Sequence, residues 1–405
     1  MGEKSLDIAK SKLFRFVLII GIVNLFADFT YEGGRSIVGP FLGALGASGA
    51  IVGFVGGFGE FVGYAFRSVS GYIADRTGKY WVTIFIGYAI NMFAVPALAL
   101  AGNWPVAALL VVAERTGRAI RRPSVETVLS YTTPELGKGW VFGLNEALDQ
   151  AGATIGPLVV ALVLLLKGGY QTGFAILLVP ALLCICTLIV ARYLSPRSIH
   201  QYVQEKRRNA SFAKGFSRAY WTYLFAGALI AAGFTGFSLI SFRFQQVAVV
   251  SNYLIPILYA VAMATGAITA LVFGKLFDKI GSLAVILAFA ISAFFAPFVF
   301  IGGLYFALFG MVLWGVGMGA QDSLLKAVLV DAVPLEGRST AFGFFDTAFG
   351  MFYLLGNTLM GFLYDFSIPA LITFSVVVQL AALPVFIYAR KRQSKTLSKL
   401  DYTKY

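Results

Sequence analysis

Sixteen ionisable side chains fall well inside stretches of sequence that are otherwise apolar, and they carry most of the chemistry this chain could perform. The acids are Asp28, Glu32, Glu60, Glu114, Glu146, Asp149, Asp322 and Asp346; the bases are Arg35, Arg67, Arg115, Arg118, Arg121, Arg122, Arg243 and Lys326. Within hydrocarbon each charge costs about 2.5–3.5 kcal/mol on insertion scales, so these groups must pair or line an aqueous path. Helical spacing sorts them. Asp28, Glu32 and Arg35 share one face, as do Glu60 and Arg67, Arg115 with Arg118 and Arg122, and Asp322 with Lys326. Asp149 stands one turn beyond Glu146. A buried carboxyl gains proton affinity and a nearby arginine removes it. Asp28 and Glu32, midway along their segment and followed by Gly33-Gly34, where a helix can open, are therefore candidates for binding a transported proton. Groups nearer segment ends (Arg121, Arg122, Glu146, Asp322, Lys326, Asp346) suit structural ion pairs.

The elements that must hold these groups are long apolar helices. The 405 residues are 59% hydrophobic and 13% charged, with mean hydropathy +0.81, against about a quarter charged in an ordinary soluble domain. Windows of roughly 20 apolar residues, the length that spans a bilayer at 1.5 Å per residue, predict helices near 14–43, 49–74, 81–101, 104–130, 139–166 and 171–194. Six more follow near 220–248, 252–274, 283–302, 304–330, 339–366 and 369–390. The fold class is thus all-α membrane protein with twelve transmembrane helices. The first apolar run continues into a charged helix, unlike a cleavable leader. Loops expected on one side hold 22 lysines and arginines, and Lys167 stands alone on the other. By the positive-inside rule, both termini and the polar loop 195–219 are expected in the cytoplasm. The net charge of +13 then reports contact with anionic membrane lipids, and no nucleic-acid partner is implied.

Catalytic and metal chemistry find little support. Cys184 and Cys186 lie two apart on a helix, so their side chains diverge. The one histidine, His200, lies in a polar loop. Neither a metal site nor a nucleophile constellation is expected, no cofactor is called for, and an embedded enzyme is the weaker alternative.

The chain also repeats itself. PELGKGWVFG from Pro134 returns as PLEGRSTAFG from Pro334, with Gly137, Phe142 and Gly143 answered by Gly337, Phe342 and Gly343, and Lys138 by Arg338. Gly156 is answered by Gly356. GYIADRTG from Gly71 returns 203 residues later as GKLFDKIG from Gly274, with Asp75 answered by Asp278 and Gly78 by Gly281. Two motifs recurring at nearly one spacing indicate a six-helix unit duplicated in tandem. Six is even, so the copies share an orientation. The expected domains are an N-terminal bundle (1–194), a cytoplasmic linker (195–219) and a C-terminal bundle with a basic tail (220–405).

Six plus six helices, a cytoplasmic central loop and the segment Gly71-Tyr72-Ile73-Ala74-Asp75-Arg76-Thr77-Gly78-Lys79 together resemble the major facilitator superfamily of secondary transporters. In that family this segment braces the cytoplasmic gate. Its chemistry is readable: Gly71 admits a neighbouring helix, Asp75 pairs at a helix end, and Gly78 allows a tight turn. Gly152-Ala153-Thr154-Ile155-Gly156-Pro157 resembles the helix-five motif of exporting antiporters, although small residues four apart also make a plain packing face. The resemblance further implies an arginine of helix four in proton coupling. Arg115, 11 residues into its span or roughly 16 Å deep, is favoured among the four present. It implies a central cavity lined by helices one, four, seven and ten, with Arg35, Glu60, Arg118, Asp149, Phe237, Arg243 and Gln245 as candidates. Phe234, Phe237, Phe242 and Phe244 would suit a partly apolar solute, or else pack internally. The implied activity is proton-coupled export of a small molecule by a monomer. Uptake symport and uncoupled facilitation remain open, as does the charge of the substrate.

Overall fold

A computed structural model describes residues 2–130, 132, 136–195, 216–333 and 338–402. Twelve spans follow one another. They are α1 (Gly2–Ala44), α2 (Gly49–Thr77), α3 (Tyr80–Ala97, extended by a 3-10 turn at Leu98–Leu100), α4 (Trp104–Ser130), α5 (Lys138–Leu165) and α6 (Tyr170–Leu194). After these come α7 (Arg218–Gln246), α8 (Leu254–Ile280), α9 (Leu283–Ile301), α10 (Leu304–Leu329), α11 (Arg338–Phe366) and α12 (Ile368–Tyr402). Among the described residues, ten are long and apolar enough to cross a membrane by length and composition alone. The remaining two are α4, loaded with arginines, and α11, diluted by Asn357 and Asp365. Exposed side chains such as Leu109, Leu271 and Phe362 give the spans the apolar outside that lipid solvates.

Several boundaries differ from expectation. α1 starts near the N-terminus and α12 continues to Tyr402, because the polar ends prolong helices whose apolar centres alone were visible. The seventh span is two helices, Arg218–Gly233 and Phe237–Gln246. Backbone groups freed at the break are met by side chains. Ser375 Oγ and Gln379 Nε2 donate to the Gly233 carbonyl (2.7 and 3.0 Å), and Trp314 Nε1 donates to that of Thr235 (2.9 Å). Asn357 accepts from Gly236 N (2.7 Å) and donates to the Phe234 carbonyl (3.2 Å). Polar groups in hydrocarbon must be satisfied internally, and this capture makes the interruption tolerable. α10 carries a π segment at Ala320–Leu324. The anticipated opening of α1 at Gly33-Gly34 is absent, and the helix runs through both. A Cβ on Gly33 would stand 3.2 Å from the Gly156 carbonyl carbon, so the glycine serves a close helix crossing.

The chain divides into two compact units. The first comprises Met1–Leu45, Ala65–Ala210 and Asn252–Ala260; the second, Gly46–Tyr64, Ser211–Ser251 and Val261–Tyr405. In the first, α1 packs along α5 and α6, and α3 along α4. In the second, α7 packs along α11 and α12. There the start of α2 is capped by α11: Gly49 N and Ala50 N donate to the two carboxylate oxygens of Asp365 (2.9 and 2.8 Å), satisfying amides that a helix leaves open.

The internal repeat has a structural counterpart within each unit. Gly156 abuts the backbone of Phe29 in α1, and Gly356 abuts that of Ala232 in α7. Gly78 and Gly281 both take positive φ (68° and 62°), ending their helices as only glycine does without strain. Gly137 also has φ 88°. Pro134, Pro334, Gly337, residues 196–215 of the linker, and the side chains of Lys138, Phe142 and Arg338 lie outside the described residues. The seam of α1 and α5 is testable. Gly156→Ala, whose Cβ would press on the Phe29 backbone, should lower thermal stability by about 1–3 kcal/mol. Gly102→Ala, where a Cβ meets nothing within 4 Å, should leave it unchanged. Equal melting temperatures for the two variants would refute the seam.

Candidate functional site

The ionisable groups of α1, α4 and α5 converge in the first unit. Asp28, Tyr31, Glu32 and Arg35 rise along one face of α1, as their spacing requires. Arg121 of α4 is the hub opposite. Its Nη2 lies 3.9 Å from Asp28 Oδ1. Its other nitrogens donate to Asn91 Oδ1 (3.3 Å) and Asn24 Oδ1 (3.4 Å), and the guanidinium lies over the Tyr88 ring at 4.4 Å. From Asn24 the network continues through Asn145 Oδ1 (2.9 Å), whose amide reaches Asp149 Oδ2 (3.3 Å). Tyr88 donates its hydroxyl to Asn24. In the other direction Asn91 donates to Glu114 Oε1 (3.0 Å), and Arg115 Nη1 stands 2.9 Å from Glu114 Oε2. Arg118 lies on the face of Tyr31 at 4.5 Å. Arg35 Nη1 is 3.3 Å from Glu32 Oε1, while Tyr259, from the start of α8, donates its hydroxyl to Glu32 Oε2. Glu32, Glu114, Arg115 and Arg121 are all buried. Such charges persist in a low-dielectric interior only with close partners.

Asp28, Glu32, Arg35, Arg115, Arg118 and Asp149 are thus gathered in one unit. Arg115 is directed to its chain neighbour Glu114, whereas the α4 arginine at ion-pair distance from Asp28 is Arg121. Glu60, Phe237, Arg243 and Gln245 belong to the second unit. There Phe234 stacks on Trp314 (5.4 Å) and Phe237 meets the same ring at 6.0 Å, so these aromatics are packed against protein. Arg243 Nη2 donates to the Phe300 carbonyl (3.2 Å), and Gln245 Oε1 is buried without a hydrogen-bond partner among the described residues.

At the end of α2 and the turn after it, Asp75 accepts from Tyr80 (2.6 Å), while Arg76 and Lys79 are exposed. Gly71 approaches Pro123 only to ordinary contact, and Gly274 has open space at the Cβ position. The close approach expected of Gly71 is therefore not demanded; the constrained glycines are Gly78 and Gly281. In the helix-five motif, a Cβ on Gly152 or Gly156 would strike the α1 backbone at Leu25 or Phe29, and Pro157 sits within an uninterrupted α5. Cys184 is buried and Cys186 exposed.

The sequence reading missed Asn24, Asn91, Asn145, Tyr88 and Tyr259. The asparagines were within reach: an amide inside a span is also expensive, and Asn24 and Asn145 each lie four residues before an identified acid. Tyrosine carries no such signal.

A sequence model of the Major Facilitator Superfamily matches residues 22–325. The chain belongs to the major facilitator superfamily. An uncharacterised Mycobacterium tuberculosis protein is 36% identical over 381 residues, covering 93% of each chain. An uncharacterised MFS-type transporter of Methanocaldococcus jannaschii is 27% identical over 377 residues, covering 88% of this chain and 90% of that one. Among solved structures, the nucleoside transporter NupG matches with TM-score 0.69 at 14% identity, over 94% of this chain and 99% of that one. A POT family transporter in complex with 5-aminolevulinic acid matches with TM-score 0.73 at 11% identity, over 94% and 96%. These likenesses are to the fold. As a superfamily member the chain is an integral membrane transporter of a small molecule.

The repeat adds a comparison internal to the chain. The equivalence of Gly156 with Gly356 and of Phe29 with Ala232 carries Asn24 and Asp28 to Gly227 and Ala231, and Asn145 and Asp149 to Phe345 and Phe349. The contacts of Gly117 with Asn91 and of Gly317 with Ser292 likewise carry Tyr88 to Phe289. Ala231, Phe289, Phe345 and Phe349 are members of one buried apolar cluster. One scaffold thus holds a polar network in the first unit and a hydrocarbon core in the second.

Proposed function

We propose that this transporter exports a small solute in exchange for protons, by alternating access. The observation that supports this reading best is the buried network around Asp28 and Glu32, in which Asp28, Tyr88 and Asp149 stand where the repeat carries Ala231, Phe289 and Phe349. Each acid faces an arginine: Asp28 has Arg121 and Glu32 has Arg35. A carboxyl so placed alternates between an ionised, arginine-paired form and a neutral form, and the change of partner accompanies a change of conformation. The likeness of Gly152–Pro157 to the helix-five motif of antiporters favours export. The charge distribution favours a cytoplasmic membrane location with both termini inside, a six-plus-six division and a cytoplasmic linker. The chain is read as a monomer.

The test is flux in proteoliposomes under an imposed pH gradient, using a labelled nucleoside, a labelled dipeptide and a cationic dye as probes. Exchange of at least one probe against protons is expected. Asp28→Asn and Glu32→Gln should each lower gradient-driven flux about tenfold or more, measured at a temperature where each variant is folded, since each takes its ion-pair partner from a largely buried arginine. Flux in the direction of the protons identifies symport, and flux indifferent to the gradient identifies a facilitator. Full coupling retained in both variants refutes the assignment of the two acids.

A further inference from the structure

We infer that Arg118 is the group that receives the transported solute, and that this solute is an organic anion presenting a carboxylate or phosphate to the guanidinium. The inference rests on the reading of the first-unit network as a transport site and names the class of solute that fits it.

The four arginines of α4 are partnered unequally. Arg115 has Glu114 at 2.9 Å, Arg121 has Asp28 at 3.9 Å, and Arg122 has Glu126 at 3.1 Å. Arg118, among the described residues, has no carboxylate within ion-pair distance and no hydrogen bond. It rests instead on the face of Tyr31, 4.5 Å from the ring centre. The acids whose charge it feels are Asp28 and Glu32, and each is already at ion-pair distance from another arginine, Arg121 and Arg35. Where α1 and α4 face each other, three guanidiniums thus meet two carboxylates. Asp149 of α5 does not redress this locally: it accepts from Asn145 Nδ2, and the cations acting on it are Arg122 and Arg121.

Arg118 lies near the middle of α4 (Trp104–Ser130), roughly 20 Å from either end by helical rise. A charge at that depth is kept from lipid. Yet the residue is only half-buried, and its nitrogens are not among the sealed polar atoms that lack a partner. Its donors therefore border water-accessible space at mid-span. Tyr31 fixes how they are presented. A guanidinium lying on a ring spends its flat face on the π electrons and keeps its N–H edge free. That edge is a planar fork matched to two oxygens of a carboxylate or phosphate. A cationic solute would be repelled by the local surplus of positive charge, and a neutral one would leave that surplus unmet. An organic anion supplies both the missing charge and the acceptors.

The experiment is thermal unfolding of the purified full chain in detergent at constant ionic strength, with matched probes at about 10 mM. The pairs are benzoate against benzamide and glycerol 3-phosphate against glycerol. At least one anion should raise the wild-type unfolding temperature by about 2 °C or more, and neither neutral partner should. A shift with benzoate identifies a carboxylate site, and one with glycerol 3-phosphate a phosphate site. Arg118→Gln should lose the shift. Arg118→Lys keeps the charge without the fork and should retain about half of it or less. Anions that stabilise the wild type no better than their neutral partners, or that stabilise Arg118→Gln equally well, overturn the inference. If Arg118→Gln does not fold, Arg118→Lys decides, and an undiminished shift there overturns it. An Arg118-dependent shift in a protein whose flux ignores the pH gradient would sink proton exchange and leave the anion site standing. Gradient-driven flux of the cationic dye, unaffected by Arg118→Gln, would sink the anion site and leave coupled transport standing.

Discussion

Arg121→Leu should unfold at a markedly lower temperature than any other single arginine variant of α4. The guanidinium at this position meets Asp28, Asn24, Asn91 and Tyr88 at once, and it is 5% exposed. Removing it takes from the largely buried Asp28 carboxylate the arginine at ion-pair distance and leaves Arg118 as the nearby cation. It also leaves the oxygens of two buried amides short of a donor. Breaking a buried pair from one side costs about 3–5 kcal/mol, because the surviving charge keeps its desolvation penalty and loses its compensation. The measurement is thermal unfolding in detergent. The companion variant is Asp28→Asn combined with Arg121→Leu. With the stranded charge gone, the double variant should recover much of the lost stability and remain inactive in gradient-driven flux. A single variant as stable as the wild type would show that Arg121 does not hold the network. Arg122→Leu should cost less than about 1 kcal/mol, since its partner Glu126 is mostly exposed and the pair at 3.1 Å is screened by solvent.

The second large effect is expected in the other unit, at Asn357→Leu. Asn357 is 2% exposed, and its amide bridges the interruption of α7 by accepting from Gly236 N and donating to the Phe234 carbonyl. Leucine has similar volume and neither function. Two backbone groups would remain buried and unmet, at about 1–3 kcal/mol each. Stability should fall by about 2–5 kcal/mol, and hydrogen exchange should rise at the α7 break before elsewhere. Asn357→Asp keeps the acceptor for Gly236 N and loses the donor, so it should fall between leucine and wild type. An undiminished melting temperature in Asn357→Leu would mean that the interruption is held by Ser375, Gln379 and Trp314 alone.

The sequence displayed the fold more clearly than the site. Twelve apolar stretches, a duplicated motif and a one-sided distribution of lysine and arginine sufficed for the architecture, because a bilayer imposes length, composition and sidedness on every span. Interruptions within spans were invisible. The α7 break is stabilised by Asn357, Ser375 and Gln379, more than a hundred residues away, and no local pattern announces such partners. At the site, helical spacing placed Asp28, Glu32 and Arg35 on one face, where they lie. Depth alone favoured Arg115 on α4, but depth says nothing about azimuth. The direction of each guanidinium is set by neighbours on α1 and α3, and this brings Arg121 beside Asp28 and turns Arg115 toward Glu114. Gly33-Gly34 illustrates a different limit. Glycine pairs suit both flexible points and close crossings, and only the neighbouring backbone of α5 decides between them.

That crossing bears on how the site can move. Along α1 and α5, Gly33, Gly152 and Gly156 bring main chain against main chain, so neither helix can ratchet along the other without driving a carbonyl into a Cα. The pair behaves as one girder. Asp28 and Glu32 on one flange and Asp149 on the other must travel together, with unchanged separation, through any rocking of the protein. Whatever shifts in their surroundings during a cycle has to come from residues that the girder does not carry.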